Sequence, residues 1–514
     1  MKLKHLSKVN LGIFIPSVII SVIAIVCMIA IPEQSKVLID AMFAYLTNDL
    51  GWLYLITVFI TLIFGLWLSF SKHGSIKMGA KDEKKEYSTI SWVAMMFTAG
   101  IGVGVVVMAF IEPLSYLQAP PFNIAPMSDE AYVYAHMYGQ FHYGISAWLV
   151  YAPTTVAVAY MLYVKKEPVL RMSRALKSVL GKQTEGIIGK IIDVIVMLGI
   201  IGGISTSLGM GIPMVSSLVH SMFGIEQGTG LTLGILLVWF LIFGSSVFLG
   251  LDKGIKRLSD INLLLVILLL VFVLFKIPTP FLLNLQTNSL GLLIDKFIPM
   301  SLSTDPITKG GFPQAWTIFY WAWWLGFMPM MALFVARISK GRTIKQILLG
   351  EVVYGGGGCM LFFATFGGYA IHLQQSGKLD LVNILQTQGR EEAIIQILHT
   401  LPMASIITFI YLVLVFVFLA TSIDSSAYVL SSVCTNHLSG EEQPSKVHRL
   451  LWAAILMLFA LGLVLIGGLQ TIQTASIVVG LPLVAVTFIA IVAVNRLFKG
   501  HEDINEFYEE ESKK

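Results

Sequence analysis

Hydropathy leaves this chain little freedom, because it is a succession of apolar runs each long enough to cross a bilayer. A helix needs about 20 apolar residues to span the hydrocarbon core, and runs of about 17 to 30 residues read as spans number roughly twelve. They lie near 11–31, 51–70, 90–112, 141–164, 187–222, 230–250, 258–277, 312–337, 344–374, 404–433, 448–468 and 473–495. In hydrocarbon every backbone polar group must be satisfied within the protein, which leaves helices for segments of this length. The predicted fold class is an all-α integral membrane protein with twelve transmembrane helices. A charged fraction of 12% agrees, being about half that of a soluble domain. No cleavable signal is expected, since Leu11 to Ile31 is long enough to span and lacks a small-residue cleavage site.

An even number of spans puts both termini on one side. Of the 34 Lys and Arg residues, only Lys36, Lys276, Lys296, Lys309, Lys378 and Arg390 fall opposite. The positive-inside rule then makes both termini cytoplasmic, in a multi-pass protein of the cell membrane. The net charge of +4 reflects this topology and implies no nucleic-acid partner. Cys27, Cys359 and Cys434 are far apart and form neither a metal nor a redox motif, and no disulfide framework is expected.

Two spans precede a block of five (90–277) and a second block of five (312–495). Odd-numbered blocks of equal size insert in opposite orientations, as in the inverted repeats of secondary transporters. The expected organisation is 1–89 (N-tail and two peripheral helices), 90–277 and 312–495 (the two repeats), 278–311 (a connector) and 496–514 (a short acidic tail). Within the connector, Leu282 to Met300 is too polar to span and reads as an interfacial helix, with Leu290, Leu293, Ile294 and Phe297 on one side. A second such helix is expected over Asp380 to Leu401.

Three stretches carry chemistry. Trp316-Thr-Ile-Phe-Tyr320-Trp321-Ala-Trp323-Trp324-Leu-Gly-Phe327 holds four tryptophans, and an interface belt accounts for Trp316 and Tyr320 but not for Trp323 and Trp324, two turns deeper. Indole faces attract cations that cannot be hydrogen-bonded, quaternary ammonium above all. Tyr143, Trp148 and Tyr151 could complete an aromatic cage, or simply pack between helices. In Thr98-Ala-Gly100-Ile-Gly102-Val-Gly104, glycines at spacing two favour an unwound segment whose amides face a cavity. Close packing by Gly100 and Gly104 is the alternative. Thr421 and Ser422 offer hard neutral oxygens suited to an alkali cation, or hydroxyls that back-bond to their own helix. His142 reads as a buried hydrogen-bonded residue rather than a proton carrier. The intramembrane acids Glu112, Asp193, Glu351, Asp424 and Asp260 are functional by default, though several sit near helix ends.

Together these motifs resemble the betaine/carnitine/choline transporter family over about Met1 to Lys499. The most specific marks are Trp92 to Gly104, Glu112-Pro113, Thr304-Asp-Pro306 through Trp324, Ala336 to Thr343, and Thr421-Ser-Ile-Asp424-Ser425. The resemblance implies a leucine-transporter-type core of two inverted five-helix repeats, a homotrimer, and an onium substrate in an aromatic box. Carried over, the box is Tyr143, Trp148, Tyr151, Trp323 and Trp324 beside Phe327, with Gly100, Gly102 and Gly104 also at the substrate. Tyr143 and Phe327 stand where the family frequently has tryptophan. Trp316 and Tyr320 would line an access route. A sodium site would take the carbonyls of Thr98, Ile101 and Phe418 and the side chains of Thr421 and Ser422. The family's sodium-independent exchangers bear an arginine where this chain has Asn262, although Ala119-Pro-Pro-Phe122 and Thr304 to Gln314 look like that branch.

The expected function is sodium-coupled import of a zwitterionic quaternary ammonium compound, glycine betaine or carnitine-like, with sodium as coupling ion and no other cofactor. Sodium-independent carnitine/γ-butyrobetaine antiport and choline uptake are the runners-up. A channel would need rings of charge or carbonyls along a pore, and an enzyme would need clustered catalytic groups. Neither pattern is present.

Overall fold

The computed structural model describes residues 9–167, 171–249, 252–436 and 443–512, and of 246, 248–249, 252–259 and 500–512 the backbone alone. Residues 1–8 of the N-tail and the last two residues of the acidic tail lie outside the described residues. Among these residues the fold is all helix, with two isolated bridges, Val9 to Thr435 and Lys77 to Thr343, and no strand. The helices are α1 (Leu11–Ala30), α2 (Pro32–Asn48), α3 (Gly51–Phe70), α4 (Thr89–Gly100), α5 (Val103–Gln118), α6 (Asp129–Tyr163) and α7 (Ile187–Phe223). There follow α8 (Thr229–Leu249), α9 (Asp252–Leu274), α10 (Thr279–Leu302), α11 (Pro313–Ile338) and α12 (Ile344–Gln375). The last are α13 (Leu381–Thr387), α14 (Arg390–His399), α15 (Ala404–Val433), α16 (Lys446–Ile466) and α17 (Leu469–Ser512).

Nine of these are long and apolar enough to cross a membrane, or up to 11 if each bent pair, α4 with α5 and α9 with α10, is one span. The sequence reading of twelve exceeds that by α8, whose described apolar stretch, Thr229–Ser245, is short. Four expectations change. The fourth span begins at Asp129 rather than 141, its N-terminus capped by Ser128 accepting from the Ala131 amide, with Asp129 and Glu130 in the first turn. Its polar residues hid it, but they are satisfied by partners: Gln140 and Gln286 exchange bonds of 3.1 and 2.9 Å, and His136 meets Ser289 at 2.8 Å. The same pairs explain why α10 is polar, and it leaves α9 at 105°. Its four apolar residues do not share one buried side, Leu293 being 9% exposed and Ile294 80%.

The helix expected over Asp380 to Leu401 is instead two short ones, α13 and α14. They are parted at Gly389, whose φ of +94° an L side chain rarely adopts. Finally, the acidic tail continues α17 as helix to Ser512. The three cysteines are free.

The long α7 runs through the bundle and packs against α11, α15, α16 and α17. Small residues allow this closeness: a Cβ at Gly326 of α11 would lie 3.3 Å from the Gly199 carbonyl of α7. Backbones that approach so nearly gain packing where lipid offers no hydrophobic drive.

Candidate functional site

The break between α4 and α5 builds one wall. Ile101 (φ −95°, ψ 112°) and Gly102 (φ −142°, ψ −174°) are extended, and the two helices diverge by 57°. The first bond within α5 runs from Val106 N to Gly102 O at 3.2 Å, so the amides of Val103, Gly104 and Val105 precede it. Such amides carry the positive end of the helix dipole. The glycines divide the two roles weighed from sequence. A Cβ at Gly100 would meet the Trp148 ring at 2.6 Å, and one at Gly104 the Trp323 ring at 2.8 Å, whereas Gly102 faces open space.

Opposite this wall, a stripe of α11 at helical spacing presents Trp323, Phe327, Met330 and Phe334. Trp323 and Trp324 lie 5.1 Å apart, their planes 14° from parallel. Tyr143 meets Trp324 edge-on at 5.1 Å, and Trp148 meets Tyr151 edge-on at 6.0 Å. The two indole N–H groups of this α11 pair are anchored on backbone: Trp323 donates to Gly203 O and Trp324 to His142 O, both at 3.0 Å. With the polar edges so held, the rings present aromatic surface to the space they line.

These elements enclose a cavity of about 830 Å³. Gly100, Gly102, Gly104, Tyr143, Trp148, Tyr151, Trp323, Trp324 and Phe327 all line it, as do Thr98, Ile101, Phe418, Thr421 and Ser422. Trp316 and Tyr320 are not among its lining. They belong to a buried plug at one end, Trp316 set edge-on to Tyr116 at 5.0 Å and Tyr320 donating to Glu112. The other end is open, its lining including the exposed Asp260, Arg337, Ser425 and Gln443. There Arg449 pairs with Asp424 at 2.8 Å.

Among the described residues no three His, Cys, Asp or Glu side chains stand together as a metal site. The hydroxyl and carbonyl oxygens are another matter. Thr421 donates to Val417 O and Phe418 O, both at 3.0 Å, and Ser422 donates to Phe418 O at 2.8 Å. A hydroxyl that back-bonds keeps lone pairs for a cation, so the two readings of this pair do not exclude each other. Asn262 is buried, and its amide donates to Leu414 O at 3.2 Å, one turn before Phe418 on α15.

Sequence reasoning missed several members. Cys359 lines the cavity and donates to Gly100 O at 3.3 Å, and the Asp424–Arg449 pair guards the mouth. Arg449 was visible only as a basic residue of a loop. Of the other intramembrane acids, Asp193 accepts from the Ser173 amide and hydroxyl at 3.0 and 2.7 Å, and Glu351 from Thr155 at 3.0 Å. Those two hold structure away from the cavity.

A solute-sized cavity inside a bundle of apolar helices, sealed at one end and open at the other, defines an integral membrane transporter. The model of the BCCT, or betaine/carnitine/choline family transporters, matches residues 12–503, and the chain belongs to that family. A carnitine transporter of Acinetobacter baumannii is 36% identical over 436 residues, 85% of this chain and 79% of the relative. An ectoine/hydroxyectoine transporter of Virgibacillus pantothenticus is 32% identical over 500 residues, 96% of this chain and 98% of the relative. These relatives are carriers, and the chain is a transporter rather than an enzyme.

Proposed function

We propose that this chain imports a zwitterionic quaternary ammonium solute, glycine betaine or a carnitine-like compound, by sodium-coupled alternating access. The observation that carries the reading is that aromatic faces and the bare N-terminus of α5 share one cavity. The rings suit an onium group, and amides at a helix N-terminus suit a carboxylate. Among the lining residues the carboxyl groups are Asp260 and Asp424, and both belong to the mouth. The solutes named for the two relatives, carnitine and ectoine, pair a delocalised or quaternary cation with a carboxylate, which supports the same class here.

Sodium would bind at the carbonyls of Thr98, Ile101 and Phe418 and the hydroxyls of Thr421 and Ser422. Asn262 supports coupling, because it leaves no guanidinium to replace the ion. In this reading 90–277 and 312–495 are inverted repeats, both termini are cytoplasmic in the cell membrane, the open mouth faces inward, and the assembly is a homotrimer.

The test is uptake of one radiolabelled onium solute into proteoliposomes, with a panel of betaine, carnitine, choline and ectoine as competitors and sodium or potassium outside. Zwitterions competing best, with uptake dependent on sodium, is the expected result. Uptake indifferent to the cation but accelerated by preloaded carnitine would establish antiport instead.

A further inference from the structure

The sealed end of the cavity is a hydrogen-bonded network centred on Glu112 of α5. Tyr116 donates to one carboxyl oxygen at 2.6 Å and Tyr320 of α11 donates to the other. Tyr116 then accepts from His142 Nδ1 at 3.0 Å, which leaves Nε2 to accept from Thr317 of α11, also at 3.0 Å. On the other branch the hydroxyl of Tyr143, a cavity-lining residue, donates to that of Tyr320 at 3.5 Å. Every donor in both branches points towards the Glu112 carboxyl. All these side chains are buried and only Tyr143 borders the cavity, so the two bonds to Glu112 cannot be exchanged for bonds to water.

The network joins α5, α6 and α11 across the closed end and reaches the rings that face the ligand. Opening that end would part α11 from α5 and α6, and it cannot do so while Tyr320 is held on Glu112. We infer that Glu112 is a positioning residue: through Tyr320 it fixes Tyr143 at the cavity wall and latches the sealed end shut. A glutamine there puts an amide NH2 where one of the two acceptor oxygens stands, so one of the two tyrosines loses its present acceptor. The inference rests on the chain being a carrier, and on neither sodium nor the substrate, so it can fail while the proposed function stands.

Side-resolved thiol labelling tests it. Gly102→Cys places a thiol in open cavity space. A membrane-impermeant maleimide is applied to intact cells and to inverted vesicles, and the labelled peptide is read by mass spectrometry with the native cysteines in place. Without further change, label should enter from the open side alone. Tyr320→Phe or Glu112→Gln should raise labelling from the sealed side by about fivefold, the shift that follows from one lost buried hydrogen bond. The double variant should go no further than the stronger single one, because both remove the same link. Tyr320→Phe loses one oxygen atom and decides the matter alone if Glu112→Gln does not accumulate. Sealed-side labelling unchanged in Tyr320→Phe, or effects that add in the double variant, would overturn the latch.

Discussion

Gly104 stands directly against Trp323, a Cβ at that position lying 2.8 Å from the ring and 3.6 Å from the Tyr143 hydroxyl. Any side chain at 104 enters the cage itself. An aspartate there would set a carboxylate beside the π faces and crowd the site that the α5 amides offer to a substrate carboxylate. Gly104→Asp should therefore lose betaine or carnitine uptake and shift preference towards choline, which is cationic without a carboxylate. The check is competition between the two at equal concentration. Wild-type protein taking up choline as well as betaine or carnitine would sink the argument.

Trp323→Leu should abolish transport, while Trp316→Leu should only weaken it. A desolvated aromatic face contributes about 2 kcal/mol to a caged onium, or some thirtyfold in affinity. Trp323 lines the cavity, whereas Trp316 packs on Tyr116 in the plug. Binding to purified protein distinguishes the two, and unchanged binding in Trp323→Leu would refute the cage.

Replacing Thr421 and Ser422 together by alanine should remove sodium stimulation without removing protein from the membrane. Both hydroxyls bond only to carbonyls of their own helix, so little packing depends on them. Uptake with sodium or potassium outside, normalised to protein in the membrane, reads the effect. Full sodium stimulation in the double variant would remove these residues from the ion site.

Arg449→Ala should destabilise the protein more than any of these. The Arg449 side chain is 6% exposed and Asp424 22%, so truncating the arginine breaks a partly buried ion pair from its more buried side. Breaking a fully buried pair from one side costs about 3–5 kcal/mol, and the partial exposure of Asp424 at the mouth puts this pair below that range. Thermal unfolding in detergent should show a large drop, relieved in part when Asp424→Asn is added. A double variant less stable than Arg449→Ala would mean that the pair is not what holds the mouth.

Much of the site was legible because it is carried by residue types rare in lipid-facing helices. Glycines at spacing two marked the unwound stretch, and indoles well inside a span marked the aromatic cluster that lines the cavity. Polar helices were harder to read. The N-terminal third of α6 and most of α10 look unsuited to a bundle until Gln140 meets Gln286 and His136 meets Ser289. The helix expected over Asp380 to Leu401 failed for a local reason, the left-handed backbone at Gly389.

By itself the sequence determined that this chain is a helical membrane protein, where most of its apolar helices lie, and which stretches supply rings, bare amides and hydroxyls. Those properties follow from hydropathy and backbone chemistry, which act over a few neighbouring residues. Only the tertiary structure decided that Trp148 lies on Gly100, that Trp316 and Tyr320 seal one end while the other stands open, and that Glu112 sits one hydroxyl behind the cage wall. Each of these joins residues on different helices. Their meeting is set by how closely backbones pack at small residues such as Gly199 and Gly326, a property of pairs of helices that no single segment encodes.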